Sequence, residues 1–311
     1  MRAYFLESNE RETRLELRDA AAPRPGPGQL LIRVRATGLN RGEFLRHGLT
    51  KPGAAKIGGT EGAGEVDGKR VMGRLPGSFA EYALMDAADA IPVPANLSWE
   101  EAAAIPITFL VVYDMLVQQG GLKRGEWLLV TGASAGVGVA ALLTGKALGA
   151  KVIGTSGSEE KLKKLTGLGL DVALRTRKPD FHESVLNATG GKGVDLVVNN
   201  VGGSVFAECV KSLGYEGRLA TVGYVDGVMK SEIDIEALHS KRLKLFGVSN
   251  KMRNAAQRGV TVQGFIKDFL PLFASGKLKP VIDRVYDFKD LPEAKARMQA
   301  DAHVGKIVVR V

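Results

Sequence analysis

The stretch Trp127-Leu-Leu-Val-Thr-Gly-Ala-Ser-Ala-Gly-Val-Gly-Val-Ala-Ala141 decides the fold. Its first four residues are an apolar strand, and a helix is expected over Val137–Leu148. Between them Gly136-x-Gly138-x-x-Ala141 matches the dinucleotide fingerprint, with alanine in its third place. Gly136 and Gly138 let the backbone turn tightly and approach a pyrophosphate, and Ala141 lets the helix lie close on the sheet. The phosphates would sit on the helix N-terminus, where free N–H groups point outward. Such a pattern alone is a weak signal. Here it follows a strand, opens a helix and precedes a second strand, Val152–Thr155, which makes it a nucleotide site rather than a plain glycine turn.

Outward from this segment the chain alternates. Helices are expected at Glu159–Leu165, Phe181–Ala188 and Val205–Leu213. Strands are expected at Asp171–Leu174, Val194–Val198, Arg218–Val222 and Lys244–Val248. Repeated βα units predict a parallel, doubly wound sheet. The first hundred residues read differently. Leu30–Ala36 alternates in the strand manner, Asp67-Gly68 is a hairpin signal, and Ser78–Met85 is a further strand. Ser98 with Glu101 is a capping box, so a helix starts there, and a second runs from about Ile107 to Gln118. The tail returns to mixed elements: a helix over Val262–Ala274, β structure near Val281–Phe288, a helix over Pro292–Ala300 and a strand over Lys306–Val311. The expected division is 1–115 and 252–311 in a glycine-punctuated β-rich domain, with 116–251 as a nucleotide-binding α/β domain.

The end of the second strand indicates which dinucleotide. NAD sites usually carry Asp or Glu there, for the ribose 2′-OH. This chain has Thr155-Ser156-Gly157-Ser158, with no acid before Glu159. Lys161 lies on the next helix, and Arg175 and Arg177 close the third strand. An uncharged cap with nearby cations suits a 2′-phosphate, so NADPH is expected over NADH.

Composition narrows the rest. The chain has 311 residues, 45% of them hydrophobic and 25% charged, which is ordinary globular composition. One cysteine, Cys209, can make neither an internal disulfide nor a multi-cysteine zinc site. His47, His182, His239 and His303 show no ligand spacing, so no metal is expected. No stretch approaches the roughly 20 apolar residues of a membrane span, and Met1–Glu10 has no apolar signal core; a cytoplasmic location follows. The net charge of +9 is spread along the chain without long basic runs. It reads as a solvated surface, and nucleic acid is disfavoured as a partner.

These residues carry a resemblance. Ala36-Thr-Gly-Leu-Asn40, Gly59-Thr-Glu-Gly-Ala-Gly64, Gly77-Ser-Phe-Ala-Glu-Tyr82, Ala102-Ala-Ala-Ile-Pro106, Ser134-Ala-Gly-Val-Gly138, Lys146-Ala-Leu-Gly-Ala-Lys151 and Gly305-Lys-Ile-Val308 span nearly the whole chain. Together they resemble zinc-independent, zeta-crystallin-like quinone oxidoreductases of the medium-chain dehydrogenase/reductase superfamily. The resemblance implies a GroES-like catalytic domain, a Rossmann domain and NADPH. It implies that Asn40 lies near the nicotinamide ribose, that Ser134, Ala135, Gly136 and Val137 hold the pyrophosphate, and that Ser156 and Lys161 take the 2′-phosphate. Val201, Gly202, Val222, Gly223, Phe246 and Val248 would line the adenosine and nicotinamide path, with Lys306 near the cleft. Zinc-containing relatives place a cysteine and a histidine near Asn40 and Thr60, which this chain lacks. It also departs from many relatives at Thr176, where they have tyrosine, and at Phe109 and Val111, where they have smaller or hydroxylated residues. Tyrosines expected near Arg46–Pro52 are absent.

The implied chemistry is hydride transfer from nicotinamide to a quinone or related electrophilic carbonyl. The acceptor oxygen becomes an anion, and donors aimed at it would stabilise it. Asn40 and Arg41 are the candidate catalytic donors, with His47 behind them. Two alternatives stand beside this reading: an alkenal or enoyl reductase, and an NADPH-binding protein of little turnover associated with RNA. Relatives pair the edge strand near Leu243–Val248 about a two-fold axis, so a homodimer is expected.

Overall fold

The computed structural model describes residues 1–8, 13–44 and 55–311. His47 and the Arg46–Pro52 segment lie outside the described residues. The chain divides into two compact units, Met1–Leu110 with Arg253–Val311, and Val111–Met252.

The first unit is β-rich. Its strands are β1 (Arg2–Ser8), β2 (Thr13–Asp19), β3 (Gln29–Gly38), β4 (Lys56–Ile57), β5 (Glu61–Val66), β6 (Lys69–Arg74), β7 (Tyr82–Asp86) and β8 (Ile91–Pro92). β3 is long enough to serve three partners. Its first half pairs with β7, its middle with β5, and its end with the last strand of the chain. β5 and β6 are joined by the two-residue turn Asp67-Gly68, with φ of 47° and 73°. Both residues are left-handed, the geometry of a type I′ hairpin. The Ser98 hydroxyl accepts from Glu101 N at 3.1 Å, and Ser98 N donates to Glu101 Oε2 at 2.9 Å, which opens the helix Trp99–Ala103.

The second unit holds β9 (Trp127–Val130), β10 (Lys151–Ser156), β11 (Val172–Arg175), β12 (Val194–Asn199), β13 (Leu213–Thr221) and β14 (Lys244–Gly247). They form one parallel sheet in the order β11-β10-β9-β12-β13-β14. The order reverses between β9 and β12, the arrangement of a Rossmann domain, whose ligands bind beyond the strand C-termini. The inner strands are apolar and fully buried along their middles, at residues 128–130, 152–153, 196–198 and 219–220, as burial on both faces requires. Leu129, Ile153, Val197 and Leu219 form their common core with Val185 and Cys209.

The tail adds β15 (Ile282–Asp287) and β16 (Lys306–Arg310) to the first unit. β16 pairs antiparallel with β3, so Val308 faces Gly38. Tyr4, Leu39, Phe79, Ile307 and Val309 pack into one core there. Arg258, on the helix Ala255–Asp268, binds Asp86 at 2.8 Å and the buried Asp89 at 3.1 Å. The antiparallel sheets make this unit GroES-like, and together the units give the α/β class expected. Among the described residues no helix is long and apolar enough to cross a membrane.

Candidate active site

In the second unit the features gather at the C-terminal edge of the parallel sheet. The helix Gly136–Ala147 starts just beyond β9, with Ala135 as an extended N-cap that offers no side-chain acceptor. Its first intrahelical bond runs from Val139 N to Ala135 O at 2.8 Å. The N–H groups ahead of it have no partner further back in the helix, which makes this terminus receptive to anions. A Cβ on Gly138 would lie 2.7 Å from the Ala133 backbone, and one on Gly145 would lie 2.8 Å from Leu128 Cδ2. Only glycine lets the helix lie so close. Ser134, Ala135, Gly136 and Val137 are half-buried at this tip. The Thr155 hydroxyl is buried beneath them and accepts from Gly132 N at 3.2 Å, so it anchors the loop.

Beyond β10, Ser156 Oγ accepts from Ser158 N at 3.3 Å, and Ser158 Oγ caps the next helix at Lys161 N. The Arg177 side chain lies directly across Gly157: a Cβ there would be 2.1 Å from its Nε and 2.3 Å from its Cγ. Gly157, Arg175, Thr176, Arg177, Lys178 and Asp180 line a shallow depression. Thr176, at the position of the family's tyrosine, bonds Asp180 Oδ1 at 2.6 Å and accepts from Lys178 N at 2.9 Å, which shapes this rim. Arg175, Arg177 and Lys178 outnumber the one carboxylate, Asp180, which Thr176 engages, so the depression suits a phosphate.

Past β12 the loop is held by a residue that sequence reasoning missed. Asn199 is fully buried, and its Oδ1 accepts from Val201 N and Gly202 N, both at 3.1 Å. Its Nδ2 donates to Gly202 O at 2.9 Å. Gly202 sits at φ 137°, and a Cβ there would lie 2.1 Å from Asp226 Oδ1, so glycine is required. Val222 and Gly223 follow β13, Phe246 lies in β14, and Val248 follows it. The structure therefore brings these residues and Val201 to one edge of one sheet with the helix N-terminus.

The first unit carries a second cluster, on β3, β5 and β16. Lys306 and Glu61 form a buried ion pair at 2.5 Å, with side-chain exposures of 6% and 0%. Lys306 Nζ also donates to Leu39 O and Asn40 Oδ1, both at 3.0 Å. Ile107 N donates to the second Glu61 oxygen at 2.7 Å. Asn40 Nδ2 donates to Glu61 Oε1 at 2.8 Å and to Thr60 Oγ1 at 3.2 Å. Thr60 Oγ1 lies 2.5 Å from Glu43 Oε1, and Asn40 N donates to Glu43 Oε2 at 3.0 Å. Glu43 is buried, and burial with the nearby Glu61 charge pushes its carboxyl up to about 7 against the pull of Thr60, Asn40 and Lys306. Asn40 and Thr60 remain half-buried at the surface of the cluster.

The structure thus joins Asn40 and Lys306 and adds Glu43, Thr60 and Glu61, which sequence reasoning had not assigned. The only signal for them was an Asn-x-x-Glu with a Thr-Glu pair in a glycine-rich segment. Arg41 points elsewhere: its guanidinium donates to Met298 O at 3.0 Å and pairs with Asp301. Cys209 is fully buried, and burial with the neighbouring Glu208 charge pushes its thiol far up, so it is inert. Among the described residues no group of three or more His, Cys, Asp and Glu could hold a metal ion.

Residues 136–262 match the family of zinc-binding dehydrogenases. That span begins after Asn40 and Thr60, the positions near which zinc-containing relatives carry metal ligands. A phenolphthiocerol/phthiocerol polyketide synthase component from Mycobacterium tuberculosis is 30% identical over 96% of this chain, and the chain spans 14% of its length. A pikromycin polyketide synthase component of Streptomyces venezuelae is 31% identical over 94% of this chain, which spans 8% of it. The structure of mycobacterial Rv1454c complexed with NADPH superposes with a TM-score of 0.89 at 26% identity, over all of both chains. The quinone oxidoreductase of Thermus thermophilus, also solved in complex with NADPH, gives 0.86 at 29% identity, again over all of both chains.

Proposed function

The chain belongs to the medium-chain dehydrogenase/reductase superfamily, close to its quinone oxidoreductases, and from this premise we propose that it is an NADPH-dependent oxidoreductase. It transfers hydride to a quinone or a related electrophilic carbonyl without a metal. One observation carries the reading: an open helix N-terminus and a depression lined by three cations against one carboxylate lie on the same strand-end edge.

The bound dinucleotide supplies the hydride. The residues divide the work of holding it. Gly136 and Val137 offer backbone N–H groups to the pyrophosphate, with Ser134 and Ala135 shaping the turn and Thr155 anchoring it. Ser156, Lys161, Arg175 and Arg177 take the 2′-phosphate. Val201, Gly202, Val222, Gly223, Phe246 and Val248 line the path toward the nicotinamide, with the first two fixed by Asn199. Asn40 presents the first unit's polar cluster, and Lys306 acts by holding Asn40. Arg41 does not stabilise the oxyanion, because Met298 and Asp301 already engage it. Much of the acceleration then comes from placing the reactants together.

The absence of metal rests on chemistry. Where zinc-containing relatives carry cysteine and histidine, this chain has an amide and a hydroxyl, both committed to the buried cluster. The homodimer rests on β14, the last strand of the parallel sheet, whose Leu245 and Phe246 are only half-buried at that edge. The single buried cysteine accords with a cytoplasmic location.

A second reading is favoured by the polyketide synthase relatives: reduction of an α,β-unsaturated carbonyl. Turnover with NADPH on a panel of quinones and small enals separates the two. Faster reduction of quinones supports the first reading, and activity on enals alone replaces it with the second.

A further inference from the structure

We propose that Asp226 is a positioning residue for the nicotinamide half of the dinucleotide: its carboxylate locks the loop after β12 to the loop after β13, and the locked pair is a preset wall for that half. This role rests on the functional reading above, because only a bound dinucleotide has a half to position. Every group it invokes lies in the second unit.

Topology selects the half that reaches these loops. In the sheet order β11-β10-β9-β12-β13-β14, β9 lies between β10 and β12. In the reading above the pyrophosphate sits at the helix N-terminus after β9, and the 2′-phosphate lies beyond β10. The adenosine half thus runs from β9 toward β10, and the other half runs from β9 toward β12 and β13.

The backbone after β12 agrees, because it has no donor to spare for a phosphate. Five consecutive N–H groups are engaged within the unit. Asn200 N donates to Thr131 Oγ1 at 3.0 Å, and Val201 N and Gly202 N donate to Asn199 Oδ1. Gly203 N donates to Val228 O and Ser204 N to Asp226 Oδ2, both at 2.9 Å. The helix N-terminus after β9 is the opposite case, with N–H groups left open. Asp226 is also the only charged residue in 200–205 and 222–228, and its sign repels a phosphate. A riboside portion without phosphate suits such a wall.

One side chain joins the two loops. Asp226 Oδ2 accepts from Ser204 N and from Ser204 Oγ, which belong to the β12 loop. Asp226 Oδ1 accepts from Val228 N at 2.9 Å, in its own loop. Its backbone N donates to Val201 O at 3.1 Å. The loops lie so close that side chains are excluded. A Cβ on Gly203 would be 2.7 Å from Val228 O, and one on Gly202 would meet Asp226 Oδ1. Against partial burial, the donors from Ser204 and Val228 hold the Asp226 carboxyl below the usual carboxylate range, so both oxygens accept at neutral pH. Asn199 fixes the base of the β12 loop, and Asp226 fixes its far end to the neighbouring loop. Val201 and Gly202 are thereby set before a ligand arrives, which spares the cost of ordering them on binding.

Paired titrations with NADPH and with adenosine 2′,5′-bisphosphate test this role. The bisphosphate carries the adenosine and its 2′-phosphate but no nicotinamide. In Asp226→Ala the NADPH Kd should rise about 10-fold, while the bisphosphate Kd stays within about twofold of the wild type. kcat with the acceptor that the wild type reduces fastest should fall about 10-fold, with the acceptor KM little changed, because a loosely held nicotinamide seldom reaches the reacting geometry. Asp226→Asn keeps an oxygen for Ser204 and should recover part of both losses. Ser204→Ala removes one bond of the join and should show the same selective loss on a smaller scale. If D226A does not fold, D226N and S204A carry the comparison alone. Equal losses for the two ligands, or unchanged NADPH binding, overturn the positioning role and leave the functional reading standing. A wild-type chain that binds neither ligand overturns both.

Discussion

Replacing Lys306 with methionine keeps the length of the side chain and removes its charge. Glu61 then stays fully buried with only Asn40 Nδ2 and Ile107 N as donors, 2.8 and 2.7 Å away. An uncompensated buried charge of this kind costs about 3–5 kcal/mol. Leu39 O also loses its donor at 3.0 Å, which adds about 1 kcal/mol. Against a stability of roughly 5–15 kcal/mol this is a large fraction. The neutral pair K306M/E61Q removes both charges and should recover all but about 1–2 kcal/mol, since replacing a buried ion pair as a unit is often close to neutral. The assay is urea unfolding followed by tryptophan fluorescence. Trp99 lies in the first unit and Trp127 in the second, so a Trp127→Phe background reports the unit that holds the pair. A loss below about 1 kcal/mol in K306M, or a double variant as unstable as the single, would refute the reasoning.

Glu43 sets a pH dependence of stability. Its folded value of about 7 lies above the unfolded 4.5, so the folded state holds a proton that the unfolded state releases between these values. Stability should erode by about 3 kcal/mol as pH rises through that window, and E43Q should lack this contribution in denaturation at pH 5 and pH 8. Lys161→Ala should weaken NADPH binding by roughly 1–3 kcal/mol and leave NADH nearly unchanged, read by cofactor titration; equal losses would reject the phosphate assignment. Gly157→Ala should displace Arg177 and raise the NADPH Kd several-fold without touching NADH, because the new methyl occupies the Arg177 position. Light scattering at micromolar concentration should give twice the 33.1 kDa chain mass, and a dilution-independent monomer would mean the β14 edge is protected otherwise.

Where structure follows from neighbouring residues, the sequence was readable. The alternating units of the parallel sheet, the Asp67-Gly68 turn and the Ser98–Glu101 cap each rest on contacts a few residues apart. The tail was harder. One helix was expected over Val262–Ala274, but two form, Ala255–Asp268 and Leu270–Ala274, with Pro271 in the first turn of the second. The true start is the capping box of Asn254 and Gln257, hidden in a polar stretch. The strand, glycine turn and helix of the candidate nucleotide edge were legible because the fingerprint is contiguous. The Glu43 cluster was not, because Glu61 and Lys306 are 245 positions apart. Lys306 was reached only through the resemblance and Glu61 not at all, and it is the pairing of both β16 and β5 with β3 that places them together. Asn199 escaped for a similar reason: its work is to hold backbone, which no residue pattern announces.

Metal-independent hydride transfer from NADPH is open to a single decisive assay. The chain is treated exhaustively with chelator, its metal content is determined, and NADPH oxidation is followed with a quinone against NADH as the competing donor. Quinone-dependent oxidation should persist at an undiminished rate, with kcat/KM favouring NADPH. Activity that disappears with stoichiometric zinc and returns when zinc is restored would contradict it, as would equal use of NADH.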